Sequence, residues 1–503
     1  MKQIILAFTI LTLNTCIYSA IPDGDIKKGL DHIYNLKFDL AETHFTSLQS
    51  KYPDDLRPSF YLAQIYFYKA LLTRDEGYYL RFLDLSDKAI ELYEERLDKN
   101  EKDYDAMYYL GQAHSYRSLL MLNLNKNLIG AAFSGKTGYG MLLDLVNEKP
   151  DYYDAYMGLG LYKIAIGFVP GKYQWLLSII GFDGNLKEGR NMLRTAYEKG
   201  KFTSVEARVY LAFFSIRERE EQNFESVNIM RDVVAEYPES PVFKLFLASL
   251  LQQMNSMDES ISLTNAAIEQ NTNSLQNEMK KGAYSLLGTA YFRKNDFEKA
   301  AFYFEEHIKY VHPEDRYNVS LFLLGLSYEM MGDRQRSLAS YQRVREDFVK
   351  ERDGEGEKFF LRLAKQRASG GFTKFDSLLV IAMNIRECGR LDEAEGMYNE
   401  LINMGKSTSI TQDDLAKVYF ELGNIYFLKG SYQQAEVMYR KCIDSKSENE
   451  TWLKPHAMFE LGKIYSLQGK ASAANDMFAA MKDEDDFDFE VFLDMRLINF
   501  QNK

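Results

Sequence analysis

Three cysteines and two tryptophans in 503 residues are the scarcest features of this chain. Cys16 lies in the N-terminal apolar stretch, which leaves Cys388 and Cys442 for the body of the protein. Two thiols do not make a disulfide framework, and burial as free thiols is the expectation for both. Nine prolines and 31 glycines are too few for an all-β chain with many turns. The six histidines form no HExxH-type arrangement, and His307 and His312 stand five apart, off a common helix face, so no metal site is expected. Basic charge is also short. Asp and Glu number 73 against 61 Lys and Arg, a net charge of −12, which argues against nucleic acid as the main partner. Past the N-terminus no apolar run is long enough to cross a membrane. No Ser-His-Asp or Cys-His grouping stands out, no cofactor is implied, and the chain does not read as an enzyme.

The N-terminus has the order of an export signal. Lys2 is the only charge before Asp23, Ile4 to Leu13 are largely apolar, and the small residues Ser19 and Ala20 follow. Cleavage after Ala20 would set Tyr18 where a small residue is preferred. The alternative is lipidation at Cys16, since Leu13-Asn14-Thr15-Cys16 loosely follows a bacterial lipobox, with Asn14 and Thr15 departing from it. Both readings make residues 1–20 a signal peptide region and the protein exported, periplasmic or associated with the outer membrane.

Abundance lies in the aromatics, with 35 Tyr and 33 Phe, and in a recurring step. A small residue in mid-helix occurs eleven times, at Gly29, Ala63, Gly111, Gly160, Ala212, Ala248, Gly288, Gly325, Ala382, Gly423 and Gly462. In ten of the eleven the preceding residue is Leu or Ile, the exception being Lys28. The intervals run from 34 to 57 residues, and a repeat of that period means a solenoid. The clearest unit is 417–444. Tyr426 follows Gly423 on one helix, Gly430 breaks it, and Tyr432, Ala435, Tyr439 and Cys442 share a face of a second helix. Gly423 and Ala435 let two antiparallel helices approach, and Tyr426 and Tyr439 fill the space beside them. The next unit repeats this with Gly462, Tyr465, Gly469, Ala474 and Phe478. Earlier ones have Gly288, Tyr291, Phe297, Ala300 and Phe304, then Gly325, Tyr328, Gly332, Ser337 and Tyr341.

This pattern resembles the tetratricopeptide repeat over nearly all of residues 26–482, in an uncharacterised exported bacterial type. The resemblance implies an all-α fold: a right-handed α-solenoid of about eleven antiparallel hairpins, with a concave groove lined by the first helices. The expected organisation is an N-terminal array over 21–350, a linker helix region over 351–372, a C-terminal array over 373–482 and a capping helix within 483–503. An insert at 164–185 breaks the helix at Gly167, Pro170 and Gly171 and then forms a short apolar helix. This block resembles one in uncharacterised bacterial tetratricopeptide proteins and in a eukaryotic repeat family with similar inserts. It packs on its own groove wall, or it offers Tyr173, Trp175, Leu176 and Leu177 to lipid or a partner.

By the family pattern, Phe60, Gln64, Phe67, Tyr68, Tyr108, Gln112 and Tyr116 face the groove, with Arg57 as a basic anchor. Rings mixed with amides suit an extended protein or peptide ligand, while the same stripe also suits core packing. One motif points elsewhere. Gly130-Ala-Ala-Phe-Ser-Gly135-Lys136-Thr137 matches the phosphate-loop pattern in full, but that loop must follow a buried strand. The leucine- and asparagine-rich residues before it are no strand, so the glycines read as close-packing positions. The expectation is a non-catalytic protein- or peptide-binding scaffold or adaptor of the bacterial cell envelope. Two alternatives stand beside it. One is a nutrient- or glycan-binding outer-membrane lipoprotein, which the shortage of Trp opposes. The other is a nucleotide-binding protein using Gly130 to Thr137.

Overall fold

The computed structural model describes residues 20–168, 181, 184–216, 224–270, 272, 275–312, 315–347, 354–405 and 410–501. The signal region with Cys16 and the insert residues Tyr173, Trp175, Leu176 and Leu177 lie outside the described residues. Within the described residues the chain forms 24 α-helices and no strand. It divides into two compact units, one ending at Leu145 and the other beginning at Val146.

Three hairpins make up the first unit. They are α1 (Asp23–Tyr34) with α2 (Phe38–Lys51), α3 (Arg57–Thr73) with α4 (Glu76–Lys99), and α5 (Tyr104–Asn123) with α6 (Leu128–Glu148), whose end crosses the division. The second unit continues with α7 (Ala155–Gly167) and α8 (Leu186–Lys199), α9 (Ser204–Ile216) and α10 (Phe224–Glu236), and α11 (Pro241–Gln253) and α12 (Met257–Ile268). Next come α13 (Gln276–Arg293) with α14 (Phe297–Ile308) and α15 (Asn318–Met330) with α16 (Arg334–Tyr341). A single helix, α17 (Glu355–Ser369), precedes α18 (Lys374–Glu387) with α19 (Leu391–Gly405), α20 (Gln412–Leu428) with α21 (Tyr432–Asp444), and α22 (Leu453–Leu467) with α23 (Ala471–Lys482). The last helix is α24 (Glu490–Gln501). Each of the eleven small-residue markers falls in the first helix of a hairpin. The 57-residue interval between Gly325 and Ala382 is accounted for by α17.

Five of the glycine markers are small because a ring from the second helix lies against them, while Gly111 and Gly160 face Leu142 and Leu193. A Cβ built on Gly423 would sit 2.5 Å from Cε1 of Tyr439, and one on Gly462 would sit 2.3 Å from Cε1 of Phe478. Gly29, Gly288 and Gly325 face Phe45, Phe304 and Tyr341 in the same way. Adjacent hairpins are then joined by a second recurring contact. The tyrosine three residues after the marker donates its hydroxyl to a glutamate on the second helix of the preceding hairpin. Tyr66 reaches Glu42 at 2.9 Å, Tyr426 reaches Glu395 at 2.9 Å, Tyr465 reaches Glu436 at 2.6 Å, and Tyr328 reaches Glu305.

The expected boundary at 351–372 falls inside the second unit. There α17 packs Phe360, Leu361, Leu363 and Ala364 into the core formed by Leu321, Phe322 and Tyr341. The expected cap takes shape as α24, which buries Leu493 and Leu497 and sets Phe500 edge-on to Phe459 and tilted against Phe478.

The turn between paired helices is regular too. Seven residues after the marker, the backbone is left-handed at Leu36, Asn255, Asn295, Gly332, Gly389, Gly430 and Gly469. Glycine takes that conformation freely and asparagine tolerates it, but a leucine Cβ crowds the following carbonyl by roughly 1–2 kcal/mol. Leu36, at φ 56°, is the misfit. Leu36→Gly is therefore expected to stabilise the protein by about 1 kcal/mol, read as a rise in the urea midpoint of unfolding; a fall would mean that the partly buried Leu36 side chain matters more than its backbone.

Candidate functional site

The eight residues expected to line a groove in the first unit come together on α3 and α5, but most of them point into the core. Phe60, Gln64, Phe67, Tyr108, Gln112 and Tyr116 are all buried. The Tyr116 ring stands edge-on to Phe67 at 4.8 Å and to Phe60 at 5.6 Å. Gln64 Nε2 donates to the Tyr116 hydroxyl at 2.8 Å, and Gln112 Nε2 approaches the Tyr108 hydroxyl at 3.4 Å. Between these helices and α4 lies a cavity of about 10 Å³ lined by Phe60, Gln64, Phe82, Ser86, Ala113 and Tyr116. That is the size of one water, far below the several hundred Å³ of a ligand pocket.

The inward placement goes with a cluster of rings that pack on one another: Phe67 on Phe82 of α4 and on Tyr116, and Phe60 on Tyr109 and Tyr116. Tyr68 is half-buried against Phe67. Arg57 is engaged rather than open. Its Nε donates to Asp55 Oδ1 at 2.9 Å and its NH2 to the Ile21 carbonyl at 2.6 Å. Burial disfavours its charge, yet the Asp55 carboxylate outweighs that and raises its pKa.

The phosphate-loop reading is corrected by the backbone. Gly130 to Thr137 lie within α6, and the Gly130 N–H donates to Asn127 Oδ1 at 3.0 Å. From Ala131, which donates to the Asn127 carbonyl, the N–H groups are used within the helix, so Gly130 to Thr137 do not form the loop that wraps a phosphate ahead of a helix. Among the described residues no His, Cys, Asp and Glu grouping could hold a metal. His307 bonds the Lys281 carbonyl, and His312 bonds Glu278. Cys388 and Cys442 are free thiols, and burial pushes both up in pKa.

Two exposed apolar surfaces were not singled out from the sequence. In the second unit, Phe213 on α9 is 43% exposed, with its ring 6.5 Å from Phe246 on α11 and 5.5 Å from Phe214. Phe214 in turn stacks near Tyr210 and Phe168. Phe213 occupies the position just after its marker, Ala212, where Gln64 and Gln112 stand in the early repeats, but those are buried. In the first unit, Ile129 and Phe133 are 73% and 66% exposed, one turn apart on α6. Exposed rings and aliphatic groups in such clusters mark interaction surfaces.

Three sequence families match parts of the chain. Residues 155–312 match the family described as Iml2/Tetratricopeptide repeat protein 39, and residues 319–350 and 416–449 each match a tetratricopeptide repeat family. No curated protein matches the chain. Solved structures similar to it include yeast Tom70, at 11% identity over 92% of this chain and 99% of that one, with a TM-score of 0.31. A human IFIT1 dimer with m7Gppp-AAAA is 14% identical over 93% and 96%, with a TM-score of 0.29. YrrB, a TPR protein with an unusual peptide-binding site, is 18% identical over 45% of this chain and 96% of that one, with a TM-score of 0.20.

The burial of Tyr116 separates packing from recognition. Tyr116→Ala is expected to cost about 3 kcal/mol in denaturant unfolding, because it opens a cavity and strands the Gln64 amide, whereas Tyr68→Ala should cost under about 1.5 kcal/mol. Equal and small losses at both sites would return Tyr116 to an open surface.

Proposed function

The chain is a tetratricopeptide-repeat protein, and from that premise we propose that it is a non-catalytic scaffold that binds a protein or peptide partner. The observation that carries this reading is the array itself: contacts within each hairpin and Tyr–Glu contacts between neighbours build a stack in each unit whose long surface suits a protein or peptide. The surface we assign to the partner is the aromatic cluster of α9 and α11, led by Phe213 and Phe246. Partly exposed rings give large contact area at low entropic cost. A second surface, Ile129 and Phe133, is favoured by its higher exposure. The acidic balance of the chain favours protein over nucleic acid as the ligand.

We also propose that the protein is exported into a bacterial cell envelope. Support comes from the order Lys2, apolar Ile4 to Leu13, small Ser19 and Ala20, with Cys16 offering a lipid anchor to the outer membrane. A nutrient or glycan ligand is the rival occupant of the same solenoid, and it is opposed by the two-Trp composition.

Affinity purification of the tagged chain from its own cells, followed by mass spectrometry, tests the scaffold. A partner captured by wild type and lost from a helical Phe213→Ala/Phe246→Ala variant supports the assigned surface. Loss only from Ile129→Ala/Phe133→Ala moves the contact to α6, and identical protein lists from all three oppose the scaffold reading. The mass of the purified N-terminus tests export: a chain starting at Ile21, or one starting at a lipid-bearing Cys16, is expected. An intact Met1 in the cytoplasmic fraction would refute export.

A further inference from the structure

Helix α17 packs one face into the core of the second unit, yet few of its residues are fully buried. Of its fifteen residues only Glu357 and Ala364 are buried, whereas α22, also fifteen residues long, buries twelve. One face leans on α15 and α16, where the Phe360 ring lies 5.6 Å from Phe322. The opposite face carries Glu355, Phe359 and Arg362, spaced to lie together on the helix. All three reach residues near the far end of the chain, at the starts of α22 and α24.

What they reach is shaped for them. Arg362 donates through Nε and NH2 to Asp488 Oδ2, at 3.0 and 2.8 Å, and through NH2 to Glu450 Oε2 at 3.0 Å. The Glu450 side chain is fully buried and that of Asp488 is 6% exposed, while Arg362 is 29% exposed, so the guanidinium enters from the open side. Glu450 is oriented by Trp452 Nε1 at 2.7 Å and paired with Lys417 at 2.8 Å. Phe359 lies 4.8 Å from the Phe489 ring and 6.3 Å from that of Trp452, and the Arg362 guanidinium lies over the Phe359 ring. Glu355 accepts from the Val491 and Phe492 N–H groups at 2.8 and 3.2 Å, closing the start of α24.

Two deep carboxylates bridged by one fork-shaped cation, beside two aromatic walls, suit a guanidinium, which spans Asp488 and Oε2 of Glu450 while Lys417 pairs with Oε1. The ligand is borne by a helix with few buried residues, which Gly370 and Gly371 join to α18. We infer that this edge of the C-terminal hairpins is a docking site for a helix presenting an aromatic residue and, three residues later, an arginine. In this chain α17 occupies it in cis, and a partner helix of the same chemistry displaces α17. The inference rests on the scaffold reading and names the chemistry of a partner.

The test uses the full chain and a fluorescent peptide of residues 355–369. In Phe359→Ala/Arg362→Ala protein the cis ligand is weakened, and the peptide is expected to bind at least about tenfold more tightly than to wild type. The same peptide carrying Arg362→Ala should lose at least about tenfold. A folded double variant that binds both peptides alike, or neither, overturns the docking site. If the double variant loses its helical circular dichroism, Arg362→Lys protein takes its place: the charge stays but the fork is broken, and the same order of affinities is required. Failure here with partner capture intact at Phe213 would sink this site alone. Peptide binding without capture at Phe213 would sink only the aromatic surface of α9 and α11.

Discussion

The hairpins depend on one close approach, a side chain of the second helix set against a residue with little or no side chain on the first: a ring at Gly29, Gly288, Gly325, Gly423 and Gly462, and a leucine at Gly111 and Gly160. Helices of 12 to 17 residues are marginal on their own, so each must gain its stability from packing. Tyr398, Tyr439, Phe45 and Phe304 are among the largest fully buried side chains, and each sits sixteen residues after its marker. Once that pair is closed, the tyrosine three residues past the marker is aimed at the preceding hairpin, where a glutamate accepts its hydroxyl. The stack is thus a consequence of the hairpin, built by repetition of a local contact.

Charge enters the last hairpins at a fixed place in the same frame. Glu421 and Glu460 both stand two residues before a marker and both are buried. Burial pushes each carboxyl up. At Glu460 the neighbouring Lys463 and Arg496 outweigh burial and hold it down at about 2, so it remains charged. At Glu421 the single arginine, Arg386, is countered by Glu387, and burial prevails. The folded pKa of Glu460 lies below its unfolded value. Its contribution is therefore present above the ordinary carboxylate range and is lost as pH falls toward 2. Arg496 belongs to α24, so this ion pair also fastens the capping helix to the hairpin beneath it, at 2.8 Å.

The same logic explains why binding surface and core trade places along the array. In α3 and α5 the stripe of rings and amides turns inward, where Phe67, Phe82 and Tyr116 pack on one another. On α9 the Phe213 side chain stays partly exposed beside Ala212, which is fully buried. Aromatic residues on first helices thus serve as core in one place and as surface in the other.

The hairpins, their number, their markers and the breaking residues Gly332, Gly430 and Gly469 were legible in the chain, as was a capping helix within 483–503, which forms over Glu490–Gln501. All of these rest on contacts within about sixteen residues, where helical period and the absence of a Cβ dictate geometry. The groove lining was not legible, because a period of 3.6 says which residues share a face and not what covers that face. Nor was the role of 351–372, whose composition reads as a linker. Arg362 meets Glu450 and Asp488 across 88 and 126 residues, and Glu355 caps α24 across 136. The sequence by itself thus determined the repeating unit, through local sterics. Only the tertiary structure decided which side chains are core, which are surface and which lone helix closes the C-terminal hairpins, because those depend on distant segments that no local period encodes.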